Sequence, residues 1–228
     1  MSDWKNKLFF GDNLRILREH VADESVHLVY LDPPFNSNAN YNVLFKEKSG
    51  QHSHAQITAF EDTWEWGDEA EETYYDTIQL SGRLSDFLQA FRSIIGPSDM
   101  MAYLVMMAPR LRELHRVLKP TGSIYLHCDP TASHYLKLLM DAVFSPEMYR
   151  NEIIWKRSSA HSDATRKFAS VHDTILLYSK TDVSVRNPLY VPYSDEYIAE
   201  HFVHVDPDGR TVSPGGPSQP QSTTKSHV

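Results

Sequence analysis

Apolar residues fall into short continuous runs that alternate with stretches of helical spacing along most of the chain. Residues 7–11 (Lys7-Leu8-Phe9-Phe10-Gly11) read as a short strand, and Asn13–His20 as a helix with Leu14 and Leu17 on its inner face. Val26–Leu31 is apolar almost throughout, the pattern of a strand covered on both faces. Asp32-Pro33-Pro34-Phe35 ends it, and two prolines there forbid both further pairing and an immediate helix. Residues 36–76 are polar, rich in Asn, His and acid, and read as a long loop with short helical pieces. Ser98 caps a helix that carries Met100, Leu104, Met107, Leu111, Leu114 and Leu118 at helical spacing and stops before Pro120-Thr121-Gly122. Residues 123–128 form another buried strand. Ser133–Phe144 is a helix with Leu136, Leu139, Met140 and Val143 on one face. Residues 152–155 and 174–178 are two more strands, separated by a polar, basic stretch over 156–172. After Lys180 the pattern weakens, and residues 210–228 are rich in Ser, Pro, Gly and Gln, which predicts an unpacked tail. The alternation predicts an α/β domain, with a mainly parallel sheet and helices on both faces. Ligands in such sheets bind beyond the carboxyl ends of the strands, where Asp12, Asp32 and Asp129 all fall.

The length of 228 residues suits one full-sized α/β domain with a substantial core. No apolar run approaches the roughly 20 residues that cross a bilayer, and the N-terminus lacks the layout of a secretory signal. A single cysteine, Cys128, excludes an intramolecular disulfide and fits a reducing compartment, so the cytoplasm is the expected location and no membrane partner is expected. The formal charge of −8 argues at first against nucleic acid. Eight acids and no Lys or Arg lie between Ser53 and Gly82, however, and outside that stretch the 22 basic residues meet an equal number of acids. Phosphate contacts are local, so one acidic insert does not exclude a polyanionic partner. The insert is expected to lie away from such a partner or to act as a flap.

Asp32-Pro33-Pro34-Phe35 carries the chemistry. It reads either as a rigid turn at a strand end or as a device for activating an amino group. An exocyclic amino group on a base is a poor nucleophile, because its lone pair is delocalised into the ring. A carboxylate that accepts one amino hydrogen, with a backbone carbonyl accepting the other, localises that lone pair. Asp32 supplies the carboxylate and Pro33 the carbonyl, and the prolines hold both acceptors in place before reaction. Phe35 offers a flat apolar face for a base taken out of its stack. A sulfonium methyl donor is already activated, so this chemistry requires no metal.

With these residues stand Leu8-Phe9-Phe10-Gly11-Asp12-Asn13-Leu14, Tyr125-Leu126-His127-Cys128-Asp129, Asn151-Glu152-Ile153-Ile154-Trp155-Lys156-Arg157 and His172-Asp173-Thr174-Ile175-Leu176-Leu177-Tyr178. Over residues 7–210 the chain resembles the site-specific DNA adenine methyltransferases of the permuted class, in which the catalytic motif precedes the donor-binding motif. The resemblance implies a Rossmann-like, S-adenosylmethionine-dependent methyltransferase fold and methyl transfer to the exocyclic amino group of adenine. It implies catalysis by Asp32, Pro33, Pro34 and Phe35 on a flipped base in double-stranded DNA, a donor pocket near Asp12 and Asp32, and target contacts after the Trp155 strand. Asn36, Lys156, Arg157, His161, Arg166 and Lys167 are the expected DNA contacts, four of them cations beside the catalytic edge. A restriction endonuclease or a second subunit is the further partner such enzymes suggest.

Members of the class also carry a Gly-rich loop of the form Asp-Pro-Phe-x-Gly-x-Gly-Thr, with its strand and helix, and this sequence contains none. The expectation is therefore an incomplete fold, a truncated copy without its donor-binding strand and helix, weak in donor binding and inactive alone. The expected organisation is a catalytic domain over 1–180 with the acidic insert at about 45–82, the start of a target-recognition region over 181–210, and a disordered tail over 211–228.

The alternatives are a cytosine amino methylase or a non-catalytic DNA-binding remnant. Protein-glutamine and ribosomal-RNA amino methylases place a donor motif before a related turn, and the 31 residues preceding Asp32 are too few for one. His52/His54 and His201/His204 lack a third partner at ligand spacing, so no metal is expected. Cys128 reads as a small buried residue rather than a nucleophile, and Met100, Met101, Met106 and Met107 as core. Asp12 and Asp129 are also placed to cap the helices that follow them, and Trp64 and Trp66 either cover the cleft or pack the insert.

Overall fold

The computed structural model describes residues 6–34, 64–161, 170–188, 190, 192–205, 209, 211 and 212. They form two compact units, divided between Val185 and Arg186.

The first unit opens with α1 (Asn13–His20) and β1 (Val26–Leu31), followed by three helices, α2 (Asp68–Ile78), α3 (Arg83–Ile95) and α4 (Asp99–Val117). Then come β2 (Leu118–Cys128), α5 (Ser133–Phe144), a single 3-10 turn at Pro146–Met148, β3 (Tyr149–His161) and β4 (Ser170–Ser179). Helix α4 organises the core. The Ser98 hydroxyl caps it, accepting from the Met101 amide at 3.3 Å, and α1, α2, α3 and α5 all touch it. That enclosure explains why α4 is buried almost all round, from Met101 through Val105 and on to Leu111 and Val117.

The strands lie in the order β1-β2-β4-β3. Only β1 and β2 pair in parallel; β2 with β4 and β4 with β3 are antiparallel. The expected mainly parallel sheet is thus corrected to a mixed one. A parallel neighbour needs a crossover of a dozen or more residues, usually helical. The helices between β1 and β2 provide one, whereas β3 and β4 follow each other as a hairpin. Gly122 sits where β2 shifts register against β1. A side chain there would meet the Leu118 side chain at 2.9 Å and the His27 carbonyl at 3.1 Å, so only glycine lets the two strands approach.

Alternation along the strands sorts the sheet into unequal faces. Ile124, Leu126, Cys128, Leu176 and Tyr178 are buried, and α5 packs on β4. The opposite face carries Leu28, Tyr30, Ile153 and the exposed Trp155. Helices on both faces were expected from the alternation of strands and helices along the chain. Among the described residues α5 packs on β4, and α1, α2 and α3 connect to it through α4.

Residues 7–11 are not assigned to a strand and pair with none among the described residues, with Leu8 98% and Phe10 81% exposed. Apolar character alone does not make a strand; it needs a neighbour whose backbone groups are unpaired, and Gly11 (φ 132°) turns the segment into α1 instead. The stretch read as a loop ends in an eleven-residue helix, α2, and α3 is a helix absent from the expectation. Asp68, Glu69 and Glu71 occupy the first turn of α2, where acids favour the helix dipole. Glu71 accepts from Trp66 Nε1 and Arg92 Nη2, both at 2.7 Å, and the Arg92 guanidinium lies 4.4 Å from the Tyr74 ring, so these contacts fasten α2 to α3.

The second unit contains α6 (Asp195–His201), capped by Ser194, and a two-stranded ladder of β5 (His204–Val205) with β6 (Thr211–Val212). Thr211 and Val212 belong to the stretch expected to be unpacked, yet they pair with Val205 and His204. Residues 213–228 lie outside the described residues.

Candidate active site at the carboxyl end of the sheet

Strand β1 delivers Asp32 to the sheet edge. Pro33 is buried and Pro34 half-buried, so the turn is anchored while the Asp32 side chain stays 62% exposed. Asp32, Pro33 and Pro34 line a cleft of about 390 Å3 with Gly11, Asp12, Trp64, Met106 and Arg110. A second cleft of about 720 Å3 adjoins it and shares Asp12, Trp64, Met106 and Arg110. Asp12 and Asp32, distant in sequence, therefore meet in one cavity. Trp64 lines both clefts, whereas Trp66 packs against the core and bonds Glu71.

Asp12 is held from two sides. One carboxylate oxygen caps α1, accepting from the Leu14 amide at 2.7 Å and the Arg15 amide at 3.2 Å. The other pairs with Arg110 at 2.5 Å, and Arg110 also donates to Asn13 Oδ1 at 2.9 Å, which ties the start of α1 to α4. Burial raises the Asp12 pKa, but the two amides and the Arg110 cation outweigh it and leave the carboxyl below its ordinary value. Asp129 does not line either cleft; its Oδ1 accepts from the Ala132 amide at 2.9 Å and shapes the turn into α5.

Three residues that sequence reasoning did not assign complete the edge. His127 Nδ1 lies 2.9 Å from Asp32 Oδ1. On its other side His127 Nε2 is 3.6 Å from Asp173 Oδ2. Asp173, only 7% exposed, is gripped by Arg157, whose Nε donates to Oδ2 at 2.7 Å and whose Nη2 bonds Oδ1. Burial pushes the Asp173 carboxyl up, and Arg157 and His127 more than reverse it, so it sits below its ordinary value. The signal was present in the strand period: His127 alternates with Leu126 and Cys128, so a polar ring must leave the buried face there. Arg110, the third, falls among the apolar positions of α4 without a partner visible in the sequence.

Of the expected DNA contacts, Lys156 is exposed on β3 opposite His172, and Arg157 is committed to Asp173. His161 ends β3, with its side chain outside the described residues. Phe35, Asn36, Arg166 and Lys167 also lie outside them. Cys128 is fully buried, its thiol 3.5 Å from the Thr174 carbonyl, and burial pushes its pKa up to about 12. A thiol so far from ionisation is no nucleophile at neutral pH. Among the described residues no group of three His, Cys, Asp or Glu could hold a metal ion, and no helix is long and apolar enough to cross a membrane.

Curated relatives include Mod subunits of type III restriction-modification enzymes and type II methyltransferases. The StyLTI Mod subunit, from a type III restriction-modification enzyme of Salmonella typhimurium, is 29% identical over 86% of this chain and 27% of its own length. The type II methyltransferase M.KpnI of Klebsiella pneumoniae is 23% identical over 78% of this chain and 33% of its own. The EcoP15I Mod subunit of Escherichia coli is 24% identical over 76% and 24%. The chain thus spans about a quarter to a third of the length of these relatives. Among solved structures, the PvuII DNA methyltransferase (cytosine-N4-specific) covers 84% of this chain and 60% of its own at 13% identity, with a TM-score of 0.44. The profile of the DNA methylase family (N6/N4 methyltransferases) matches residues 26–213, which is most of the chain. The protein belongs to the N6/N4 DNA methylase family, and its α/β domain is the methyltransferase-like fold of that family.

Proposed function

We propose that this chain carries the catalytic half of a site-specific DNA methyltransferase that methylates the exocyclic amino group of adenine. The observation that carries the reading is the placement of Asp32. Its exposed carboxylate stands on a proline-stiffened turn at the carboxyl end of β1, inside a cleft it shares with Asp12. Cleft volumes of a few hundred Å3 suit a cofactor-sized ligand, and the lining combines two carboxylates with Trp64, Met106 and Met107. With Arg110 offsetting Asp12, the lining keeps the Asp32 charge to face a cationic sulfonium, and the indole and thioethers offer apolar contact to a ring, which fits S-adenosylmethionine. S-adenosylmethionine, when bound, supplies an activated methyl group.

The chain's own residues do the rest. Asp32 accepts one hydrogen of the target amino group and the Pro33 carbonyl the other, which localises the nitrogen lone pair. The buried Pro33 ring anchors the backbone that carries both acceptors, which reduces the reorganisation needed at the moment of reaction. Phe35 would stack on the flipped base. Lys156, with His161, Arg166 and Lys167, would contact phosphates beside the edge, and Asn36 the target. A nuclease subunit is the partner that the type III relatives bring to mind for the whole protein.

Incubation of the methyltransferase that contains this chain with unmethylated DNA and labelled S-adenosylmethionine, followed by digestion to nucleosides, tests this reading. N6-methyladenine is expected. N4-methylcytosine alone would select the cytosine alternative, and DNA binding without any methylated product would select a binding remnant.

A further inference from the structure

The exposed Asp32 carboxylate would, by itself, sample several rotamers on a surface turn, and an acceptor that wanders loses most of its catalytic value. The structure offers a fixed partner. His127 stands one residue before the end of β2, its side chain only 18% exposed, and its Nδ1 faces Asp32 Oδ1 at 2.9 Å. The histidine is itself held. Asp173, on β4, lies across its Nε2 at 3.6 Å, and Arg157, on β3, forks onto the Asp173 carboxylate. Four residues from four consecutive positions across the sheet edge, Asp32 after β1, His127 on β2, Asp173 on β4 and Arg157 on β3, thus form one polar line. Three of them are less than a quarter exposed, and the one that points into solvent is the proposed acceptor.

We infer that His127 is the positioning residue of Asp32: its ring fixes Oδ1 and leaves Oδ2 to receive the target amino hydrogen, while Asp173 and Arg157 fix the ring. This rests on the functional reading above for its purpose, though not for its geometry. A neutral imidazole has one donor and one acceptor nitrogen. Each ring nitrogen faces a carboxylate oxygen, which can only accept, so His127 restrains Asp32 through a proton on Nδ1. At 3.6 Å the Asp173 contact is longer than a hydrogen bond, and it draws on the ring when Nε2 also carries a proton. The line therefore needs no substrate to exist, and it predicts that a change at one end is felt at the ring in between.

Imidazole nitrogen NMR on the histidine-labelled 228-residue protein reads this without turnover. The expected result is that Asp32→Asn shifts the His127 Nδ1 signal and Asp173→Asn the Nε2 signal, with the fold intact by circular dichroism. An Nδ1 signal indifferent to Asp32→Asn would overturn the inference. Kinetics on the methyltransferase that contains this chain add the second arm. His127→Ala should lower kcat on the order of ten- to a hundredfold, as for loss of part of a preorganised acceptor, with KM for DNA little changed. His127→Asn, which keeps an N–H near the Nδ1 position, should recover more of kcat than His127→Gln, whose amide reaches toward Asp173 instead. Equal rates for Asn, Gln and Ala would mean that the ring merely fills space, and would sink the proposal. Absence of methyl transfer by the wild-type enzyme would sink the functional reading instead, and the NMR arm tells the two failures apart.

Discussion

The two faces of one sheet behave differently. Ile124, Leu126, Cys128, Leu176 and Tyr178 on the helix side are at most 2% exposed, whereas Leu28, Tyr30, Ile153 and Trp155 on the other side are 38–61% exposed. His127 alternates onto that second face, and Asp173 shares it through its register opposite Trp155. The same strands thus hold the fold with one set of residues and present chemistry with the next. The contrast teaches that substitutions one position apart should fail in different ways: those on the helix side through stability, those of exposed residues on the open side through catalysis or binding.

The largest expected effect is on the covered face. Leu126→Ala removes a fully buried side chain from the core and should cost about 2–5 kcal/mol, from lost transfer and residual cavity; urea denaturation of the purified chain measures it. Asp32→Ala, just past the end of the neighbouring strand β1, should leave that midpoint within error. In the methyltransferase that contains this chain it should lower kcat on the order of a hundredfold or more, with DNA affinity in a gel-shift assay nearly unchanged. If Asp32→Ala unfolds the domain, or Leu126→Ala leaves its midpoint intact, the division between the faces fails.

How much of this was legible beforehand follows the same division. Helices α1, α4 and α5 and strands β1, β2 and β4 announce themselves because a buried face imposes a period. Helix α3 was equally legible in principle: Leu84, Phe87, Leu88 and Phe91 recur at helical spacing, and Gly82 and Gly96, both at positive φ, bound it. Helix α2 is harder, because its buried residues are Tyr74 and Thr77 among acids, and acid density reads as loop. The apolar run at residues 8–10 misleads in the opposite sense, since pairing depends on a neighbour that a local pattern does not contain. At the site, Asp32 and Asp12 are visible as residues that end or begin elements. The line through His127, Asp173 and Arg157 depends on strand order β1-β2-β4-β3, which spacing does not encode, and Arg157 consequently reads as one more cation in a basic loop.

A smaller effect lies in the pH dependence of stability. The folded pKa of Asp173 is depressed below its ordinary value of 3.8. The stabilisation linked to it is therefore present above that value and is lost as pH falls through the folded value. Asp173→Asn should remove this component, so that its stability between pH 5 and lower pH falls less steeply than the wild type's. Acid titration of thermal midpoints checks it. A variant as steep as the wild type would mean that other carboxylates, Asp12 among them, carry the acid transition.

The smallest effect separates two neighbours on β3. Lys156 is exposed, and Arg157 is half-buried with its fork on Asp173. A lysine that neutralises one phosphate releases about one counterion, so Lys156→Ala should weaken DNA binding uniformly across sequences and reduce the log–log salt slope by about 1. Midpoint and turnover at saturating DNA should hardly move, because an exposed lysine contributes little to the fold. Arg157→Ala should show the reverse. It leaves Asp173 buried with its main cation gone, which lowers the thermal midpoint and, through His127, kcat, while the salt slope stays near the wild-type value. Salt titrations of both variants by fluorescence anisotropy, from low to physiological ionic strength, compare them directly. Equal losses of slope would show that DNA draws Arg157 away from Asp173 on binding, and the two faces would then be coupled through that residue.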